Sequence, residues 1–299
     1  MMILITGASG FIGRHLSRML SMAGHEVIAT NVDITDHGEC EKLFAHRKYD
    51  VVVHLAGISS VNECEKDISK AFRVNVEGTY RIASLLAANN NQAHFVFPST
   101  GQVYMAGREE NREYTESDPV GPSNLYALTK YLAEEELKSI ANLKDLSVTA
   151  LRIFNHVHKS QRPEFFLSSV YHQLMSAQNI GKSVADISVG NIDIKRDFGA
   201  LGDLLAAFFE VITNGPVVSS AFNQFNISSA VGKNLRELAD CLAAKLGMTI
   251  SYSAKEGLVR KDEPASVVGS NIKFKEFYKW RPNSSGNVEQ LVNAFLMDL

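Results

Sequence analysis

Tyr126 and Lys130 stand four residues apart in SNLYALTKYLAEEEL, a helical stretch that Ser123 and Asn124 are suited to cap. That spacing sets both side chains on one helical face, one turn apart. Free tyrosine titrates near ~10, too high for a good base at neutral pH. A lysine ammonium one turn away favours the phenolate and lowers that value. Tyr126 can then pass a proton to or from a hydroxyl or carbonyl oxygen. Thr100 adds a second hydroxyl at the end of the apolar run HFVFPST, ahead of this helix. A tyrosine and a lysine meet at this spacing by chance in many helices, so the pair alone names no reaction.

A second chemistry lies in ILITGASGFIGRHL, residues 3–16. Ile3 to Thr6 suit a fully buried strand, and Gly7, Gly10 and Gly13 follow at intervals of three. Leu16, Met19, Leu20 and Ala23 then recur with helical spacing. A strand that turns tightly into a helix aims backbone N–H groups and the helix dipole at a pyrophosphate. Only glycine lets the backbone come that close. The triplet reads G-x-x-G-x-x-G, not the standard G-x-G-x-x-G. Further buried runs, HEVIAT, DVVVHLAG (Asp50–Gly57), HFVFPST (His94–Thr100) and SVTALRIFNH (Ser147–His156), alternate with helical segments. This pattern predicts an α/β chain on a doubly wound, Rossmann-type parallel sheet. DVVVHLAG ends in small residues, as where a backbone lies close to a cofactor. The loop that follows sits at the carboxyl end of the sheet, where such folds bind ligands, and offers Ser59 and Ser60 to a sugar.

Composition narrows the classes. The 299 residues suffice for one large or two moderate domains, at 45% hydrophobic and 21% charged. A net charge of −3 and a pI near 6.3 give no basic footprint for nucleic acid. An anionic substrate must be met by a few placed arginines. Cys40, Cys64 and Cys241 are odd in number and lack CxxC spacing, which suits reduced thiols in a cytoplasmic protein rather than a disulfide frame or a zinc site. No apolar run reaches membrane-spanning length, and no signal peptide is expected.

TGASGFIG resembles the opening of the extended short-chain dehydrogenase/reductases, the NAD-dependent epimerase/dehydratase family, which mostly act on nucleotide sugars. HLAG resembles the family's HLAA, and NVEGT its segment carrying Asn75. STGQVY with Tyr126 and Lys130 resembles its Ser/Thr–Tyr–Lys constellation. The resemblance implies NAD(H) or NADP(H), seated by Gly7, Gly10, Phe11, Ile12, Gly13, Leu55, Ala56 and Gly57, with Asn75 bracing neighbouring strands. Lys130 would anchor the nicotinamide ribose, Thr100 would share the Tyr126 hydrogen bond, and hydride would pass between cofactor and sugar carbon. Asp33-Ile34 look like the family's third-strand motif, whose Asp meets the adenine amino group; the alternative is that Asp33 caps a helix from about Thr35. Asn31 stands where the family keeps its ribose-handling group, and Arg14 is the local candidate for a 2′-phosphate. A homodimer is expected through the helix near residues 71–89 and the Tyr126 helix, whose apolar residues cover more than one face.

FNH (Phe154–His156), Gln161, Phe165-Phe166 and VGNIDIKRDF (Val189–Phe198) resemble the GDP-mannose 4,6-dehydratase and GDP-4-keto-6-deoxymannose reductase branch. By that resemblance Asn155 and Arg196 would hold a substrate diphosphate, and Arg260 with Glu263 would reach phosphate and nucleotide ribose. His158-Lys159 replace the branch's Gly-Pro, and Ala200–Asp203 replace its VRD. Gln102 stands where a dehydratase keeps its acid; glutamine has no carboxylate to take a proton, which leaves it a substrate contact. The expected function is NAD(P)-dependent reduction of the C4 keto group of a GDP-6-deoxy-4-keto-hexose, giving GDP-D-rhamnose or its C4 epimer. The alternatives are NDP-sugar 4-epimerisation and a dinucleotide-sensing module without chemistry. Residues 1–155, with 197–222 returning, are expected to form the dinucleotide-binding domain. Residues 156–196 and 223–299 would form a smaller C-terminal α/β substrate domain.

Overall fold

A computed structural model describes residues 1–105, 112–216, 221–254 and 264–297; Arg260 and Glu263 lie outside them. Ile3, Leu4 and Ile5 of β1 (Met2–Thr6) lose all contact with solvent, as in a strand covered by helices on both faces. There follow α1 (Phe11–Met22), β2 (Glu26–Thr30), α2 (His37–Phe44), β3 (Val51–His54), α3 (Val61–Lys66) and α4 (Ile68–Phe72). A π-helical turn, Arg73–Gly78, joins α4 to α5 (Thr79–Asn89). Next come β4 (His94–Thr100), β5 (Glu113–Tyr114), α6 (Leu125–Lys144), β6 (Ser147–Ile153), β7 (Asn155–Val157) and α7 (Phe166–Asn179). The chain continues through β8 (Val184–Val189), β9 (Lys195–Ala200), α8 (Leu201–Asn214), β10 (Phe222–Ile227), β11 (Gly232–Asn234) and α9 (Leu235–Lys245). It closes with β12 (Thr249–Ala254), β13 (Ser266–Gly269), α10 (Ile272–Phe277) and α11 (Val288–Leu296).

Six strands form one parallel sheet in the order β10-β6-β4-β3-β1-β2. Its residues alternate between two cores. Ile3, Ile5, Val51 and Val53 pack under α1 and α8, while Leu4, Val52, Phe95 and Phe97 pack under α2, α5 and α6. This is the doubly wound α/β sheet expected. The winding reverses between β1 and β3, which opens a crevice at their carboxyl ends. A second sheet runs β11-β9-β13-β5 with β7 beside β9, and β12 pairs with β8; residues of β7, β8 and β9 pack with α7, α9 and α11 around a separate core.

Two expectations about the chain's layout meet a different arrangement. Asp33-Ile34 form a turn and not a strand, with Ile34 buried against Gly78. The segment that rejoins the first sheet is α8 with β10, residues 201–227; β9 stays in the second sheet. Phe225 and Ile227 of β10 finish the apolar face that α8 covers, and α10 with Tyr278 and Trp280 seals it. Helix α6 packs on β4, β6 and β10 beneath and on α3, α4, α5 and the π-turn beside it, while Leu128, Tyr131 and Leu132, on which the dimer expectation rests, stay half-buried.

Candidate active site

Gly7 has φ +66°, and a Cβ there would lie 2.6 Å from the Ala56 nitrogen. At Gly13 a Cβ would lie 2.5 Å from the Gly7 carbonyl oxygen. The β1–α1 turn is thus pressed onto the end of β3 more closely than any side chain permits. Gly10 precedes α1 without a side-chain cap, so no side chain there occupies the N–H groups of the first turn, which an anion could meet. Leu55 N donates to Thr6 O (3.2 Å) and Ala56 N to Thr6 Oγ1 (3.3 Å), which pins the β3 exit beside the turn. Asn31 accepts from Ser9 N at 2.8 Å and so braces the glycine-rich loop. Asn75, inside the π-turn, accepts from Ile58 N (2.8 Å) and donates to Ile58 O and Thr129 Oγ1, both at 3.0 Å. It ties the Gly57–Ile58 loop to α6. Asp33 accepts from Thr35 N (2.9 Å) and Thr35 Oγ1 (2.7 Å), bonds that hold its carboxyl below the usual range. The cap of α2 is Asp36, so Asp33 caps a turn and not that helix. Arg14 donates to Ser160 Oγ at 2.8 Å, while the Phe11 ring stacks on His156 with centroids 5.7 Å apart.

Thr100, Tyr126 and Lys130, the residues expected to move a proton, come together at the end of β4 and the start of α6. Asn124 caps α6 by accepting from Ala127 N (2.9 Å) and donates to Gln102 Oε1 (3.0 Å). Gln102 N donates to Thr100 Oγ1 at 3.2 Å, so one chain of bonds fixes the last residue of β4 to the first turn of α6. The Tyr126 hydroxyl bonds to Thr100, and burial pushes it up to about 12. Lys130, 7% exposed, is itself pushed down to about 7 by burial, against the pull of Glu134. Its Nζ lies 3.9 Å from the centre of the Phe97 ring and makes no hydrogen bond or ion pair among the described residues. The chain therefore keeps Tyr126 a phenol able to give a proton, next to a buried cation poised near neutrality.

Of the residues expected to meet substrate, Gln102 and Ser59 are exposed near this set. Ser60 Oγ accepts from Glu63 N (3.3 Å) and caps α3. Asn155, exposed on β7, donates to Asp197 O at 3.1 Å. Arg196 on β9 donates to Lys195 O (2.7 Å) and Pro264 O (2.9 Å), which sets it beside the start of the last described stretch. The pocket formed by Asn155, Asp203, Ser228 and Trp280 measures about 20 Å³, room for about one water, and none of Thr100, Tyr126 or Lys130 lines it.

Several residues that organise the site drew no attention in the sequence. Asp203, in the segment that departs from the family's pattern, accepts from Asn283 N (3.0 Å), Ser284 N (3.1 Å) and Ser285 Oγ. Asp197 does the same for Ser229 N (2.8 Å) and Gly269 N (3.2 Å). Glu134 receives Arg152 from β6 in the buried interior. Its place four residues beyond Lys130 was a readable signal; the two aspartates carried none, because their partners are distant in the chain.

A model of the NAD dependent epimerase/dehydratase family matches residues 3–227. The GDP-6-deoxy-D-mannose reductase of Pseudomonas aeruginosa is 27% identical over 301 residues, spanning 99% of this chain and 96% of that one. The UDP-glucose 4-epimerase of Lactobacillus helveticus is 27% identical over 325 residues, spanning 98% and 95%. Among solved structures, RMD from Pseudomonas aeruginosa complexed with NADPH is similar with a TM-score of 0.85 at 25% identity, over 99% of this chain and 97% of that one.

Proposed function

We propose that this chain, which belongs to the NAD dependent epimerase/dehydratase family, reduces the C4 keto group of a GDP-6-deoxy-4-keto-hexose with NAD(H) or NADP(H). The observation that carries this reading is the amide of Gln102 where a dehydratase would need an acid, beside a Tyr126 hydroxyl bonded to Thr100. A reduction asks for a proton donor, the role that Tyr126 would take. The full-length similarity to a GDP-6-deoxy-D-mannose reductase supports it.

The bound dinucleotide would supply the hydride. Gly7, Gly10 and Gly13 with Phe11 and Ile12 would seat its pyrophosphate on α1, and Leu55, Ala56 and Gly57 would flank it. Ile34, Asp33 and Asn31 would border the adenosine, and Asn75 keeps the loop beside it in place. Lys130 would hold the nicotinamide ribose. Tyr126 Oη would give its proton to the oxygen that gains negative charge, with Thr100 orienting it and Lys130 stabilising the phenolate left behind. Asn155 and Arg196, with Arg260 and Glu263 from the undescribed stretch, would take the nucleotide diphosphate, and Ser59, Ser60 and Gln102 would face the sugar.

The similarity to a UDP-glucose 4-epimerase favours a second reading, 4-epimerisation with the cofactor retained. Both readings describe a cytoplasmic homodimer without nucleic-acid or membrane partners; no helix among the described residues is long and apolar enough to cross a membrane. The deciding experiment supplies GDP-4-keto-6-deoxymannose with NADH or NADPH. One reduced cofactor consumed per product is expected. Epimerisation of a GDP- or UDP-hexose without net cofactor loss overturns the reductase reading. Dinucleotide binding with no turnover of any sugar leaves only a sensor.

A further inference from the structure

We propose that Glu134, clamped by Arg152, is a positioning residue that keeps the buried Lys130 in its charged form, the third member of a Tyr126–Lys130–Glu134 stripe. The proposal deepens the reading of Tyr126 and Lys130 as the proton-transfer pair and rests on it. The three residues recur every four positions along α6, which places them on one face at successive turns. Lys130 and Glu134 are 7% and 1% exposed, so neither charge is screened by water.

What lies around Lys130 leaves Glu134 as its one anion among the described residues. Tyr126 is a phenol. The Cys64 thiol on α3 is pushed up by burial, so it stays protonated. His54 on β3 is pushed down to about 3 by burial and by Lys130 itself, so it stays neutral, its Nδ1 sharing a 2.8 Å hydrogen bond with Thr6 Oγ1. Phe97 offers only its ring face. Ser99, two residues along β4 and paired in register with Arg152, has a buried hydroxyl with no hydrogen-bond partner among the described residues.

Arg152 pairs with the buried Glu134 carboxylate and fixes where its charge sits. Its Nε donates to both Glu134 oxygens (3.1 and 3.2 Å) and its Nη2 to Oε2 (2.7 Å). The guanidinium lies 5.0 Å from the Tyr104 ring centre, and Tyr104 donates to Asn226 Oδ1 at 2.6 Å, which fixes the whole clamp. A buried pair adds little stability over well-packed apolar residues. Its placement one turn from the reactive lysine is what a purely structural pair would not require.

The test follows the Lys130 side chain directly, by NMR titration of protein carrying ¹³C-labelled lysine, with Lys130→Met identifying the signal. Parent protein is compared with Glu134→Gln and with Glu134→Met/Arg152→Met, a neutral pair less liable to misfold. In Glu134→Gln the titration midpoint is expected to fall by about one to two pH units, the effect of a unit charge removed from roughly 6 Å at intermediate dielectric; the double variant also loses the Arg152 cation, so its midpoint should fall by less. The basic limb of the rate profile should move to lower pH with it. A midpoint unchanged in either folded variant overturns the proposal. So does failure of both variants to fold, which assigns the pair to the fold alone. Turnover of the keto sugar by parent protein is scored separately. A shifted midpoint without turnover retains Glu134's role and removes the reductase reading.

Discussion

Tyr126→Phe removes one oxygen atom and leaves the ring in place. Within the protein that oxygen's partner is Thr100, and losing one such hydrogen bond costs about 1 kcal/mol of stability, so the folded fraction hardly changes. As a general acid it should contribute ~10²–10⁴-fold to the rate, or roughly 2.7–5.4 kcal/mol of barrier. Catalysis should therefore fall far more than stability. Dinucleotide affinity should stay within a few-fold of the parent, because the glycine turn and Lys130 are untouched. The parent's pH profile follows from the same groups. Tyr126, pushed up to about 12, keeps its proton across the working range, whereas Lys130, pushed down to about 7, loses its charge as pH rises through that value. Reduction should slow above about pH 7. Single-turnover loss of nicotinamide absorbance at saturating cofactor reads both effects. A Tyr126→Phe rate within tenfold of the parent would refute the assignment of the proton donor.

Arg196→Ala should weaken nucleotide-sugar binding by about 10- to 100-fold, the worth of charge-assisted bonds to a diphosphate, without altering dinucleotide binding; equal affinity in a GDP titration would make Arg196 a β9–β13 brace alone. Gly13→Ala places a methyl 2.5 Å from the Gly7 carbonyl, so the turn must open and dinucleotide affinity should drop at least ~10-fold; an unchanged affinity by calorimetry contradicts the close approach. Asp203→Ala strands Asn283 N, Ser284 N and Ser285 Oγ and should cost about 3 kcal/mol. Trp280, the one tryptophan, donates to Asp203 O, so its fluorescence in denaturant follows that loss, and an unmoved midpoint would show the network to be dispensable. Light scattering at micromolar concentration should give a dimer; a monodisperse monomer removes that expectation.

The glycine turn and the Tyr126–Lys130 pair were legible because each is local: three glycines in seven residues, two side chains one helical turn apart. The buried strands were legible as apolar runs. Asp33-Ile34 misled because two residues carry no periodicity, and a turn satisfied by Thr35 looks the same in a string of letters as the end of a strand. What covers Tyr126 and Lys130 was hidden for a different reason: spacing gives their separation along the helix but not the elements packed over them. Likewise α6 looked too apolar for one contact, because α3 and α4 sit beside it only after β3 and β4 have paired. Asp197 and Asp203 read as ordinary acids until segments some 30 to 80 residues away are brought onto them.

The edge strand β10 has a consequence for how the molecule is made. The other five strands of its sheet are complete once β6 ends at Ile153, but β10 begins only at Phe222. A ribosome adding ~5–20 residues each second needs roughly 4–14 s to cross that interval. During it the unpaired edge of β6 and the apolar face awaiting α8 are both open to other chains, the condition under which strands associate wrongly. A gene cut after residue 155 would leave that state permanent, a sheet lacking its sixth strand. Residues 1–155 on their own should therefore associate through that open edge, because the later half of the chain finishes their sheet.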